Sequence, residues 1–244
     1  IMKVNSLVID LRDNSGGFMH AAQEILDNFF TDKQLLVYTE GANSRREEVY
    51  SSGRNGKFAN YPLAVLVDEN SASASEITAG VIQDYDKGTV IGNVTFGKGL
   101  VQRMFNLSDG SSLRLTVSRY YLPSGRCIQR SYKDGYISYL EQYYANYGRN
   151  KQTVDSSKVF YTLNQKRKVY EGDGLMPDIT VEHDTSYVSN MLLAISRKNI
   201  IADFCVEYCD VNRKKMEQVD SKKKLDSFLE NDGMFNKFLA RLSH

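Results

Sequence analysis

The chain has 244 residues, 41% hydrophobic and 25% charged. That is the make-up of a folded globular protein, and it excludes a disordered chain. A balance of 31 Lys and Arg against 30 Asp and Glu leaves a net charge of +1, so no global basic field exists to hold nucleic acid or an anionic membrane. No apolar run approaches the about 18–20 residues of a membrane span. Three cysteines (Cys127, Cys205, Cys209) without a CxxC, and histidines scattered at 20, 183 and 244, offer neither a disulfide framework nor a zinc pattern. From Ile1 onward there is no charged and apolar leader with a cleavage site, so the sequence is expected to be the interior of a longer protein.

Residues 6–11 (SLVIDL) predict a short strand ending in the turn cluster Arg12-Asp13-Asn14-Ser15-Gly16-Gly17. Phe18, Ala21, Ala22, Ile25, Leu26 and Phe29 recur at helical spacing, predicting an amphipathic helix over 18–30. Residues 39–60 are polar and predict a strand leading into an exposed loop. Leu63–Val67 (LAVLV) is an unbroken apolar run, as expected of a strand covered on both faces. After a turn at 68–71, residues 74–85 predict a helix with Ile77, Val81 and Ile82 facing inward, and 89–91 a further short strand. From Gly99 the period changes to two. Val101, Phe105 and Leu107, the turn Asp109-Gly110, and Leu113, Leu115 and Val117 predict a β-hairpin. The Tyr-rich stretch 132–161 reads as irregular or partly helical. From Tyr187 the pattern is helical, with Leu225, Phe228, Leu229, Phe235, Phe238, Leu239 and Leu242 as its apolar stripe. The basic runs 213–215 and 222–224 read as a solvated face. Two strand–turn–helix units imply a layered α/β core.

The histidines suit no Ser–His–Asp triad: His20 lies within a predicted helix, His183 near a strand end, and His244 at the last residue. Asp13 and Asp68 could supply paired carboxylates, but turn acids of this kind read first as structural. A serine activated by a lysine needs no histidine. Its lysine must be neutral to take the hydroxyl proton, which calls for a dry site and a polar, uncharged partner to orient the amine. Asn70-Ser71-Ala72-Ser73-Ala74-Ser75-Glu76 places three serines where a strand turns into a helix, whose free N–H groups suit an oxyanion. Gly97-Lys98-Gly99 sets a lysine between glycines, with Gln102 four residues on. Taken alone these residues have a plainer reading, and it is the favoured one. Ser73-Ala74-Ser75-Glu76 is a capping box, and Gly-Lys-Gly is a turn with an exposed lysine.

Five segments shift that balance by their order and joint occurrence: LVIDLRDNSGG (7–17), VDENSASASEI (67–77), TFGKGLVQ (95–102), SRYYLPSGRCIQ (118–129) and GDGLMPDI (172–179). Together they resemble the catalytic core of the C-terminal processing (tail-specific) serine peptidases. The resemblance implies a ClpP/crotonase-like layered α/β core over residues 1–186, with a helical extension over 187–244. It implies Ser73 as nucleophile, Lys98 as general base and Gln102 as the residue that orients the lysine. The oxyanion hole would use the N–H of Ala74 with that of Gly16 or Gly17. Ser71 and Ser75 are then cap and packing residues, while Arg12, Asp13, Arg126 and Pro177-Asp178 read as structure. Members usually carry DLRNNPGG where this chain has DLRDNSGG, a change that loosens the turn and keeps its N–H groups.

The function implied is hydrolysis of protein substrates near their C-terminal tails through an acyl-enzyme, without a metal or organic cofactor. Partners implied are protein or peptide tails, a PDZ domain or adaptor outside this chain, and further copies of the chain as a homo-oligomer; nucleic acid is not expected. The location implied is a bacterial periplasm or cell envelope. Two rival readings share the fold: a non-catalytic module that binds apolar ligands or peptide tails, and an acyl-CoA enzyme of the crotonase type. Loss of Ser73 or Lys98 would favour the first, and both are present. The second relies on Glu acids and CoA contacts rather than on a reactive serine with a base.

Overall fold

The computed structural model of the protein describes residues 4–41, 44–54, 56–132, 135, 158–181 and 189–242. Contacts divide the chain into two compact units, residues 1–183 and 184–244. In chain order the first carries β1 (Leu7–Asp10), α1 (Met19–Asp27), β2 (Leu35–Gly41), β3 (Ser44–Tyr50), β4 (Leu63–Val67) and α2 (Ala74–Asp84). There follow β5 (Thr89–Gly92), β6 (Leu100–Asn106), β7 (Ser112–Tyr121), β8 (Val159–Tyr161), β9 (Lys168–Tyr170) and β10 (Ile179–Thr180). The second unit is helical: α3 (Asn190–Arg197), α4 (Ile200–Met216), α5 (Lys222–Asn231) and α6 (Met234–Leu242). Its core includes Phe204, which packs on Tyr208 and Phe238 with ring centroids 5.7 and 5.2 Å away.

The first unit is mixed α/β. A parallel sheet runs in the order β1-β4-β5-β10, and an antiparallel sheet in the order β3-β2-β7-β6. The pair β8-β9 stands apart. Parallel pairing of β4 with β5 (Val65 opposite Val90) requires a crossover, and α2 is that crossover. Leu63, Val65, Val67 and Val90 form one core with Leu26, Ile77, Val81 and Ile82 of the helices and with Leu36, Val37, Tyr120 and Leu122 from the antiparallel sheet and its exit.

The details depart from the sequence pattern in four places. Strand β4 alternates, with Leu63, Val65 and Val67 buried and Ala64 and Leu66 only half-buried, so the unbroken apolar run does not mean two covered faces among the described residues. Residues 64 and 66 pair with Val8 and Asp10, and Val8 is 64% exposed. Helix α1 is shorter than 18–30 and buries Ala22 and Leu26, leaving Phe18, Ala21 and Ile25 in the open; Phe29 and Phe30 are buried beyond its end. Helix α2 is not amphipathic in its surroundings, because every residue from Ala74 to Asp84 is buried. Its Gly80 lies so close to Leu122 that a Cβ would come within 2.5 Å of the leucine side chain.

The fourth departure is β3, which forms where a loop is expected. SRREEVY lacks an apolar alternation because β3 is an edge strand with charged residues on both sides. Arg46 serves it, donating to Glu48 at 2.8 Å and lying 3.7 Å from the centre of the Tyr38 ring. The predicted hairpin is β6–β7, with Phe105 opposite Leu113. Most of the Tyr-rich stretch 132–161 lies outside the described residues.

Candidate active site

Two turns at the C-terminal ends of the parallel strands β1 and β4 are locked to each other. The Asp68 carboxylate accepts from the amides of Asn70 and Ser71, both at 3.0 Å, which closes its own turn. It also accepts from the Asp13 amide, at 3.1 and 3.0 Å to its two oxygens. Ser71 is fully buried; its hydroxyl donates to the Leu11 carbonyl at 2.7 Å and accepts from the Asp68 amide at 2.9 Å. Asn70 donates to Asp13, and the Ala72 amide donates to the Asn14 carbonyl at 3.0 Å. The acids Asp13 and Asp68 are therefore engaged in holding loops. Arg12 forks onto Asp10, pulling that carboxyl down to about 2, mainly through the guanidinium hydrogen bond.

Gly16 is where the turns meet. With φ at +91° it adopts a backbone open chiefly to glycine, and a Cβ there would fall 2.4 Å from the Ala72 oxygen and 2.7 Å from the Ala74 nitrogen. The Gly16 amide donates to Asn14 Oδ1 at 2.9 Å, so it is occupied. Among the described residues the amides of Gly17 and Ala74 have no acceptor. Ala74 opens α2, so its N–H stands at the positive end of the helix dipole.

Ser73 precedes Ala74 with φ 56° and ψ −116°. An ordinary helix cap sits in the extended region, and a non-glycine residue at this φ is strained. Its backbone is gripped from both sides. The amide donates to Glu76 Oε2 at 2.8 Å, the half of the capping box that the S-x-x-E spacing predicts. The same oxygen accepts the Lys98 amide at 3.0 Å, while Oε1 accepts the Gly97 amide at 2.8 Å and the Thr95 hydroxyl at 2.5 Å. Burial pushes the Glu76 carboxyl up, and these four donors pull against it. On the carbonyl side, the buried Tyr120 hydroxyl lies 2.5 Å from the Lys98 oxygen and 3.2 Å from the Ser73 oxygen. The serine turn and the Gly-Lys-Gly loop, separated in sequence, thus share two anchors.

The side chains are less engaged than the backbone. Ser73 is half-buried, while Lys98 and Gln102 are exposed. Among the described residues no hydrogen bond joins Ser73 Oγ to Lys98 Nζ, or Gln102 to Lys98. Gln102 lines, with Leu100, Thr116, Ser118 and Tyr121, an open cavity of about 770 Å³ over the antiparallel sheet. The dry lysine pocket expected from the chemistry is not formed around Lys98. Among the described residues no group of three or more His, Cys, Asp or Glu is placed to hold a metal ion, and Cys127, Cys205 and Cys209 are free thiols. The anchoring parts played by Glu76 and Tyr120 go beyond the sequence reading. The capping-box spacing gives the bond to Ser73, but nothing in it signals the bonds to residues 95–98.

The sequence matches the family model for peptidase family S41 over residues 1–136. It is 46% identical over 127 residues to carboxyl-terminal-processing peptidase 2, chloroplastic, of Arabidopsis thaliana, covering 52% of this chain and 24% of that one. It is 36% identical over 128 residues to carboxy-terminal processing protease CtpB of Bacillus subtilis (strain 168), covering 52% and 26%. The chain therefore spans about a quarter of the length of these relatives. Among solved structures, the photosystem II D1 C-terminal processing protease superposes with a TM-score of 0.52 at 29% identity, over 73% of this chain and 35% of that one. Among the described residues no helix is long and apolar enough to cross a membrane.

Proposed function

This chain belongs to peptidase family S41, and we propose that it carries the catalytic core of a serine endopeptidase that cuts polypeptides near their C-terminal tails, with Ser73 as nucleophile and Lys98 as general base. The observation that carries this reading is the backbone of Ser73. A serine that only caps a helix gains nothing from φ 56°. A nucleophile at a sharp strand-to-helix turn gains an outward Oγ with a free amide beside it. The strain is of order 1–3 kcal/mol and is offset by the anchors at Glu76 and Tyr120.

In this mechanism Lys98 Nζ takes the proton as Ser73 Oγ bonds to the scissile carbonyl carbon. The negative charge moves to the carbonyl oxygen, within reach of the Ala74 and Gly17 N–H groups. The C–N bond then breaks, Lys98 returns the proton to the leaving amine, and an ester on Ser73 remains. Water, losing a proton to Lys98, bonds to the ester carbon, and Lys98 returns that proton to Ser73 Oγ as the C–O bond breaks. A polypeptide lying across the turn would cover the exposed Lys98 side chain and shield it from water. Gln102, two residues along the strand from Leu100, orients the Lys98 amine. Residues 1–186 act as the peptidase core and 187–244 as a helical extension, with a PDZ domain or adaptor outside this chain presenting the tail. The location proposed is a bacterial periplasm or cell envelope; the relatives include proteins of the bacteria Bacillus subtilis and Bartonella bacilliformis as well as a chloroplastic one of Arabidopsis thaliana.

The test incubates an unfolded protein with an apolar C-terminus with the wild type, Ser73→Ala and Lys98→Ala. Cleavage by the wild type and its loss in both folded variants is the expected result. Cleavage unchanged in Ser73→Ala refutes the assignment. Binding of the tail without cleavage, and without labelling of Ser73 by a fluorophosphonate, selects the non-catalytic module instead.

A further inference from the structure

We propose that Tyr120 is a positioning residue that fixes the nucleophile turn relative to the base loop; this rests on the assignment of Ser73 and Lys98 made above. Tyr120 sits near the end of β7 and is 1% exposed, its ring within the core of the first unit. Its hydroxyl lies 2.5 Å from the Lys98 carbonyl oxygen and 3.2 Å from that of Ser73. Its backbone amide donates to the Gly99 carbonyl at 3.0 Å, and Tyr120 pairs with Thr39 of β2. One residue thus ties the antiparallel sheet to both segments of the site.

The chemistry of the contact makes the hydroxyl necessary. Both partners are carbonyl oxygens, which only accept, so the phenol must donate. Burial pushes the phenol well above its usual range, with the nearby Glu76 charge acting in the same sense, and the donor stays protonated at any working pH. Two carbonyl oxygens turned toward one point repel each other, and the shared proton removes that repulsion. One of them belongs to the strained Ser73 peptide, whose oxygen also accepts the Ile77 amide at 3.0 Å. Glu76 holds the N–H groups of Ser73 and Lys98, and Tyr120 holds their C=O groups. The relative placement of the two residues is therefore set at both ends of each. A tyrosine buried for packing alone needs one acceptor, as Tyr85 has in the Leu35 carbonyl at 2.8 Å.

That second tyrosine supplies the control. Tyr120→Phe and Tyr85→Phe each keep the ring and remove one buried hydroxyl. With the full chain, Ser73 labelling by a fluorophosphonate is followed over a concentration series, giving a limiting rate and a half-saturating concentration. Tyr120→Phe is expected to lower the limiting rate about tenfold, the loss of one well-placed hydrogen bond, with half-saturation unchanged. Tyr85→Phe is expected to lose comparable thermal stability and label at the wild-type rate. Equal rates for Tyr120→Phe and wild type, or an equal fall in Tyr85→Phe, overturn the proposal. A wild type that is not labelled at Ser73 overturns the nucleophile assignment and this inference with it. Should Tyr120→Phe not fold, 4-fluorophenylalanine and 4-aminophenylalanine at position 120 separate filling of the hydroxyl's place from donation of a proton. The amine is expected to label near the wild-type rate and the fluoride about tenfold slower, and equal rates for the two overturn the proposal.

Discussion

Replacing Glu76 by Gln separates the charge of this side chain from its shape. The carboxylate is wholly buried and accepts four hydrogen bonds, two on each oxygen. An amide can offer an oxygen to only one of these pairs. Its NH2 fits best toward Thr95, whose hydroxyl can turn and accept, and that leaves the Gly97 amide facing an N–H. One unpaired buried amide costs about 1–3 kcal/mol, and converting the bonds to Ser73 and Lys98 from charged to neutral acceptors costs about 1 kcal/mol more. Release of a buried charge returns part of this, so a net loss of about 2–3 kcal/mol is expected at pH 7. For a unit of this size each kcal/mol moves the midpoint by about 2–4 °C, giving a fall of about 4–12 °C.

Thermal unfolding followed by circular dichroism at pH 7 measures the loss. A variant that melts within about 1 °C of the wild type would refute the reasoning.

Three further outcomes are expected. Gly16→Ala puts a methyl 2.4 Å from the Ala72 oxygen at φ +91°, so the turn must shift; fluorophosphonate labelling of Ser73 should drop about tenfold or more, and an unchanged rate would show that the Gly16 contact does not hold the Ser73 turn in place. Arg126 is fully buried and donates to Asp84 at 2.7 Å, so Arg126→Met strands a buried carboxylate and should cost about 3–5 kcal/mol in urea unfolding; a cost under about 1 kcal/mol contradicts this. The Asp10 carboxyl, held down to about 2 by Arg12, contributes stability above its ordinary value that is lost as pH falls toward 2. An NMR titration of Arg12→Ala should show its midpoint back in the usual carboxylate range.

Much of the layout of the candidate site is local and can be read from the sequence. The strand–turn–helix units, the Ser73 turn, the Gly97-Lys98-Gly99 loop and the hairpin each come from patterns within a single short stretch of chain. There, turn chemistry and side-chain period act directly on the backbone. The second unit is helical for the same reason. The strand β3 escapes because its charged residues suit an exposed edge, a property of its place in the sheet rather than of its composition. Helix α2 likewise shows three inward residues in its pattern but is buried all round, since burial depends on what other segments lay against it.

What tertiary structure alone decided is how distant segments are joined. Glu76 announces itself as a helix cap, yet it also binds Thr95, Gly97 and Lys98. Tyr120 stands in the segment 118–129 with no role of its own in the sequence, yet its hydroxyl spans Ser73 and Lys98. Gly16 is a plain turn glycine until Ala72 and Ala74 are packed upon it. The sequence carries the chemical groups and the local turns, because these depend on neighbours along the chain. The strain at Ser73, the occupied Gly16 amide, the open Gly17 and Ala74 amides and the exposed Lys98 arise only once the two turns and the Gly97-Lys98-Gly99 loop compete for the same few donors and acceptors in space.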